Sequence, residues 1–190
     1  MVPARRLAEQ TRSLFQFCFA RGNAAFARWV LDGDTAHLDV ADQATTWLEP
    51  RDSGLVRSFN HGWLVHGWLA VGRNDRARWH AARALQRMRR LDLLGAGMAC
   101  RALALHAAAA GDCARAQQWM TRAEQVATRR DSAHEAASNR LAAARLALAR
   151  SQPDEARTLA HAALDRFEAL AMPWHAEQAR AMLCWRMTRQ

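Results

Sequence analysis

Apolar positions recur along the chain three and four residues apart, a helical period, and the pattern itself repeats every 39 residues. Trp29, Trp68, Ala107 and Leu146 form one column at that spacing. Ala25, Leu64, Leu103 and Ala142 form a second column, and Phe26, Val65, Ala104 and Ala143 a third. Within a repeat the columns lie three or four residues apart, so together they mark one face of a helix. A second helix follows in each repeat, with columns Leu38, Ala77, Ala116, Ala156 and Ala84, Ala123, Ala163. Small side chains let two antiparallel helices approach closely. A bulky residue at Ala77, Ala116 or Ala156 is therefore expected to push its pair apart. Self-similarity at a fixed period of roughly 20–50 residues is the signature of stacked repeats.

The polar punctuation agrees. Gly33, Gly72 and Gly111 stand 39 residues apart, each between two apolar helical stretches, and are read as turns inside helical hairpins. A fourth hairpin replaces glycine with Ser151-Gln152-Pro153-Asp154 and slips by one residue. Pro153 suits the first turn of the next helix. Asp34, Asp75 and Asp112 follow the glycines closely, where an N-cap acceptor is wanted. Ser132 with Glu135 has the spacing of a capping box, and Ser53 is placed to cap the second leading helix. Pro50 and Pro173 fall between repeats.

These signals predict an all-α fold, a right-handed superhelical stack of about four antiparallel helix pairs in a single domain over 1–190. A short helix is expected at 3–12. The repeats lie at about 14–48, 54–91, 94–129 and 133–170, with pairs at 14–31 and 35–48, 54–71 and 75–91, 94–109 and 113–129, and 133–149 and 154–170. A last helix at 174–188 covers the exposed end, as terminal repeats do.

Composition narrows the class. Half of the 190 residues are apolar (51%), too many for a disordered chain. All 27 basic side chains are arginine, and tyrosine is absent. The net charge of +9 is uneven: residues 51–90 carry nine arginines against two acids, while the other segments are close to neutral. No apolar run is long enough for a membrane span, and the N-terminal stretch lacks the pattern of a secretory leader. Cys18, Cys100, Cys113 and Cys184 form no C-x-x-C pair and have no histidine at zinc-finger spacing. They are read as buried free thiols of a cytoplasmic protein, with no metal site.

The arrangement Leu103-Ala104-x-x-Ala107-x-x-x-Gly111-Asp112-x-x-x-Ala116-x-x-x-x-x-x-Ala123 resembles a tetratricopeptide repeat (TPR). So does Leu64-Val65-x-x-Trp68-x-x-x-Gly72 with Ala77 and Ala84-Leu85. The resemblance runs from roughly 14 to 188. The period exceeds the usual length of about 34 residues, the extra residues falling in links such as Arg89-Arg90-Leu91-Asp92. Long-period variants of this kind are similar to the repeat region of large bacterial ATPase-type transcription regulators. The stretch from Ala163 to Trp174 also looks like that region. Those relatives carry a nucleotide-binding module and a helix-turn-helix beside their repeats. Neither is found in this sequence, nor is a G-x-x-x-x-G-K motif. The resemblance implies a non-enzymatic protein–protein interaction module without cofactors, whose leading helices line a concave groove for a peptide or helix of a partner. A bacterial regulatory or adaptor role follows from the same likeness.

The segment His61-Gly62-Trp63-Leu64-Val65-His66-Gly67-Trp68 contains an echo, HGWLV then HGW. Five residues of helix turn through about 500°, so His61 and His66 point roughly 140° apart and do not share a metal. Such aromatics serve either as core wedges or, for Trp63 and His66, as groove contacts. Asn23, Gly62, Arg101 and Arg140 form a polar column 39 apart that by resemblance faces the groove. Arg101 and Arg140 on neighbouring leading helices are candidates to clamp a carboxylate or phosphate, or else are two solvated arginines. The candidate groove set is Asn23, Phe59, Trp63, His66, Met98, Arg101 and Arg140. Arg73, Arg76, His80, Arg83, Arg87 and Arg90 are spaced to form a basic stripe on the second trailing helix. That stripe suits nucleic acid or an acidic protein segment, or is an ordinary solvated face. Trp79 and Trp119 on trailing helices are expected to pack inward. The last helix, bearing Trp185, offers a route to a homodimer. Motifs for nucleophilic, metal-assisted or phosphate-loop catalysis are absent from the sequence.

Overall fold

The computed structural model describes residues 14–49, 57–88 and 92–184. Among these, every regular element is an α-helix. They are α1 (Leu14–Asp32), α2 (Thr35–Leu48), α3 (Arg57–Ala70), α4 (Asn74–Met88), α5 (Ala96–Ala109), α6 (Cys113–Arg129), α7 (Ala133–Ala149), α8 (Pro153–Ala169) and α9 (Pro173–Cys184). The apolar period placed these ends within a few residues. The expected helix at 3–12, the Ser53 cap and the stretch 185–188 lie outside the described residues.

Where the sequence predicts one domain, the chain forms two compact units, dividing after Ala99 within α5. In the first, α1 packs on α2, α3 on α4, and α2 on α3. Its core joins Ala25 and Trp29 of α1, Leu38 and Ala41 of α2, Leu64 and Trp68 of α3, and Ala77 of α4. Trp68 is fully buried, and its Nε1 donates to Asp42 Oδ2 at 3.2 Å. Its truncation to alanine would cost about 3–5 kcal/mol. α3 also meets the turn before α5 backbone to backbone. A Cβ on Gly62 would stand 2.5 Å from the Gly95 carbonyl oxygen, and one on Gly95 would stand 1.5 Å from that of Ser58. Asp92 secures this approach by accepting from the Ser58 hydroxyl and from the Ser58 N–H at 3.3 Å.

In the second unit, Ala104, Ala107, Ala116, Met120, Ala142 and Leu146 join α5, α6 and α7. Ala137, Leu141, Ala163, Phe167, Ala176 and Ala179 join α7, α8 and α9. The column alanines Ala77, Ala84, Ala116, Ala123 and Ala163 have no exposed surface, which is why the helices of a pair come close.

The helix ends show one device reused. Gly72, Gly111, Asp131, Ser151 and Ala171 all take positive φ. At each, that residue's N–H bonds back three residues and the next N–H bonds back five, as Gly111 to Ala108 and Asp112 to Ala107, both at 2.9 Å. This is the Schellman stop, which satisfies the carbonyls left over at a helix end. Gly33 makes the simpler version, its N–H reaching Trp29 O at 2.8 Å. Glycine marks the first three sites, and three L-residues bear the strained conformation in the second unit, where the stops recur every 20 residues.

The caps are partly as read. Asp34 and Asp112 accept from backbone N–H groups of the following turn, but Asp75 falls inside the first turn of α4. Ser132 accepts from the Glu135 N–H at 3.3 Å. The reciprocal half of the capping box is missing, because the Ser132 N–H is used in the preceding stop and Glu135 turns its carboxylate elsewhere. Trp79 is 39% exposed rather than inward. Of the four free cysteines only Cys100 is buried, and burial pushes its thiol up to about 11.

Candidate partner-binding surface

The leading helices of the first unit bring aromatic rings together. Phe26 of α1 stacks on Trp63 of α3 with centroids 4.9 Å apart and planes 13° from parallel. Phe59 leans on Trp63 at 4.2 Å, and Trp29 meets exposed His66 edge to face at 5.9 Å. Phe26, Phe59 and Trp63 are half-buried, so each presents part of its ring to solvent while its base is held. Offset and edge contacts of this kind are favourable beyond the area they bury. Phe26 was legible only as a core column; its partner Trp63 stands 37 residues later, off that column. Asn23 on α1 and Met98 at the start of α5 are half-buried in the same unit. The Asn23 Oδ1 is buried without a hydrogen-bond partner. Gly62 is not a lining position: it is the contact point for Gly95.

Arg101 and Arg140 lie in the second unit and do not form the expected clamp. Arg101 Nη1 is bound to buried Glu135 and to Asn139 Oδ1 at 2.9 Å. Arg130 Nη1 holds the other Glu135 oxygen at 3.1 Å. Arg101 thus lies flat between α5 and α7, and Arg140 is exposed. The sequence reading missed Glu135 and Asn139. Their spacing of four on the face that meets Arg101 was the available signal, but Glu135 had been assigned to the cap. Asn139 is nearly buried and its Nδ2 has no partner.

The basic stripe of α4 is a set of struts rather than an open field. Arg76 binds Asp39 of α2 and lies over the Trp68 ring at 4.5 Å. Arg83 meets Glu49 of α2 at 3.3 Å and lies over Trp79 at 5.0 Å. Arg73 pairs with Asp75 at 3.6 Å. His80 is buried at 1% exposure; its Nε2 faces Asp42 at 3.3 Å and its Nδ1 faces His61 Nδ1 at 2.8 Å. Burial pushes the Asp42 carboxyl up, but the bond and charge of His80, with Arg76, more than reverse this and hold it below its usual value. Arg87 belongs to the same helix, and Arg90 lies outside the described residues. The stripe reads as basic because its acids sit a full repeat earlier, on α2.

Among the described residues, no three His, Cys, Asp or Glu side chains gather as metal ligands, and no helix is long and apolar enough to cross a membrane. Comparison with known proteins finds no matching family model, no matching curated protein and no matching solved structure.

Proposed function

We propose that the chain is a TPR-like protein-interaction module that holds a peptide or helix of a partner protein on the leading-helix face of its first unit. The observation that carries this reading is the half-exposed stack of Phe26, Trp63 and Phe59 with His66 beside it. Aromatic rings fixed at their base and open at their edge are what anchors a partner side chain at an interface. A regulatory or adaptor role in a bacterium remains part of the proposal, supported by the sequence resemblance alone. The anionic-partner reading is weaker, since Arg76 and Arg83 place their charge on Asp39 and Glu49 within the same unit.

The test is affinity capture from lysate of the native cells, with bound proteins identified by mass spectrometry. Phe59→Ala with His66→Glu is expected to lose the partner captured by the wild type while keeping the same helical circular dichroism. Equal capture by both proteins would remove this surface from consideration.

A further inference from the structure

His134 and His175 sit in the first turns of α7 and α9. Their rings meet edge to face, with centroids 5.1 Å apart and planes at 83°. His175 also tilts against Phe167 of α8 at 5.1 Å and receives Trp174 at 4.9 Å. His134 Nε2 lies 3.4 Å from the Ser138 hydroxyl. One ring pair therefore ties the beginning of α9 to the beginning of α7, with α8 supplying an apolar floor.

This is a poor place for an added proton. Unpaired N–H groups give the first turn of any helix a partial positive charge, and two such turns converge here. From α5, Arg101 adds a full charge, and Arg130 adds another from the end of the preceding turn. The one acid facing the pair is Glu135 of α7, and both of its oxygens are bound by those two arginines. On the other side, Glu168 of α8 and Glu177 of α9 are bound by Arg180. Burial accordingly lowers the pKa of both rings. For His134 the charges of Arg101 and Arg130 add to this against Glu135; for His175 the charges of His134 and Arg101 add.

α9 is weakly held otherwise. Its described length is 12 residues, too short to be stable alone in water. It leans on small contacts, Ala176 and Ala179 against Phe167 and Leu141. A gap of about 30 Å³ remains where Met182 faces Leu148, Ala156 and Ala160, room for about one water.

We propose that the His134–His175 contact is a proton-operated catch: it keeps α9 seated on α7 and α8 while both rings are neutral and releases it on acidification. Release uncovers Phe167, Leu141 and Ala163, an apolar face inside the folded chain. The sign follows from the lowered folded values. The hold is complete above the unfolded value of about 6.5 and weakens as the pH falls below it.

Hydrogen exchange of the full chain, read by mass spectrometry at pH 7.5 and pH 5.0 and corrected for intrinsic rates, tests this. The segment 173–184 is expected to lose protection about tenfold, the effect of one pKa unit, while α6 keeps its protection. In His134→Gln/His175→Gln, which cannot charge, α9 is expected to be equally protected at both pH values. Unchanged protection of wild-type α9, or the same acid loss in the double variant, overturns the proposal. Should the double variant loosen α9 already at pH 7.5, ring titration in the wild type by NMR decides. Two midpoints below about 6.5, shared by the α9 amides, support the catch, and a midpoint at or above that value for either ring refutes it.

Discussion

His61 and His80 face each other through the same ring nitrogen, Nδ1 to Nδ1 at 2.8 Å, with each residue only 1% exposed. His80 presents its Nε2 to Asp42, where a proton is held as the donor to a carboxylate. The two Nδ1 atoms then share one proton, so one ring donates and the other accepts.

Acid acts on this pair through His61. Burial, then the charge of His80, lowers its pKa from 6.5 to about 3. A lowered folded value means the unfolded chain takes up the proton first, so stability is complete above pH 6.5 and falls as the pH drops toward 3. One proton contributes a slope of about 1.4 kcal/mol per pH unit. Urea titrations at pH 6 and pH 5 are expected to show a slope smaller by about that amount in His61→Gln, and parallel slopes would contradict the assignment.

Gly95→Ala is expected to destabilise the first unit by about 3 kcal/mol, at the upper end for overpacking. Its Cβ would land 1.5 Å from a backbone oxygen, an atom that no rotamer change can move. Gly62→Ala, with 2.5 Å to the Gly95 oxygen, is expected to cost less. Comparing the two urea midpoints checks the order, and equal midpoints would mean that the approach relaxes freely.

The left-handed stops give a prediction of opposite sign at equivalent places. Ala171 at φ 52° and Ser151 at φ 59° bear strain that glycine does not. Ala171→Gly is expected to stabilise by about 1 kcal/mol, raising Tm by about 2–4 °C for a chain of this size. Gly111→Ala is expected to lower Tm by a similar amount. Calorimetry on the two variants reads both signs.

Glu135 is expected to be the least replaceable acid of the second unit. It is 3% exposed and binds Arg101 and Arg130, so Glu135→Ala leaves two cations facing each other without a counter-charge. Removing one partner of such a buried group costs about 3–5 kcal/mol. Glu135→Ala with Arg101→Met is expected to recover part of that loss, measured as a double-mutant cycle.

The helices were legible because each carries its own period, and hairpins turning at Gly33, Gly72 and Gly111 announce themselves by a residue type. The stops at Asp131, Ser151 and Ala171 were not, since an L-residue accepts positive φ at a cost without changing the local pattern. Pairings across repeats were the least visible. Arg76 finds Asp39 and Arg83 finds Glu49 at separations of 37 and 34 residues, and no local window contains both partners. The candidate surface suffered in the same way: Trp63 was visible as an aromatic, but its stacking on Phe26 depends on how two helices meet.

In the second unit the stops at Gly111, Asp131, Ser151 and Ala171 divide the chain into equal lengths of 20 residues, and the same closure joins helices within a pair and between pairs. The smallest interchangeable cassette there is consequently a single helix with its own terminator, not the hairpin. Transplanting one such cassette would reverse the direction of every helix downstream, whereas two in tandem would restore it, so growth of this half of the molecule by duplication is constrained to even steps.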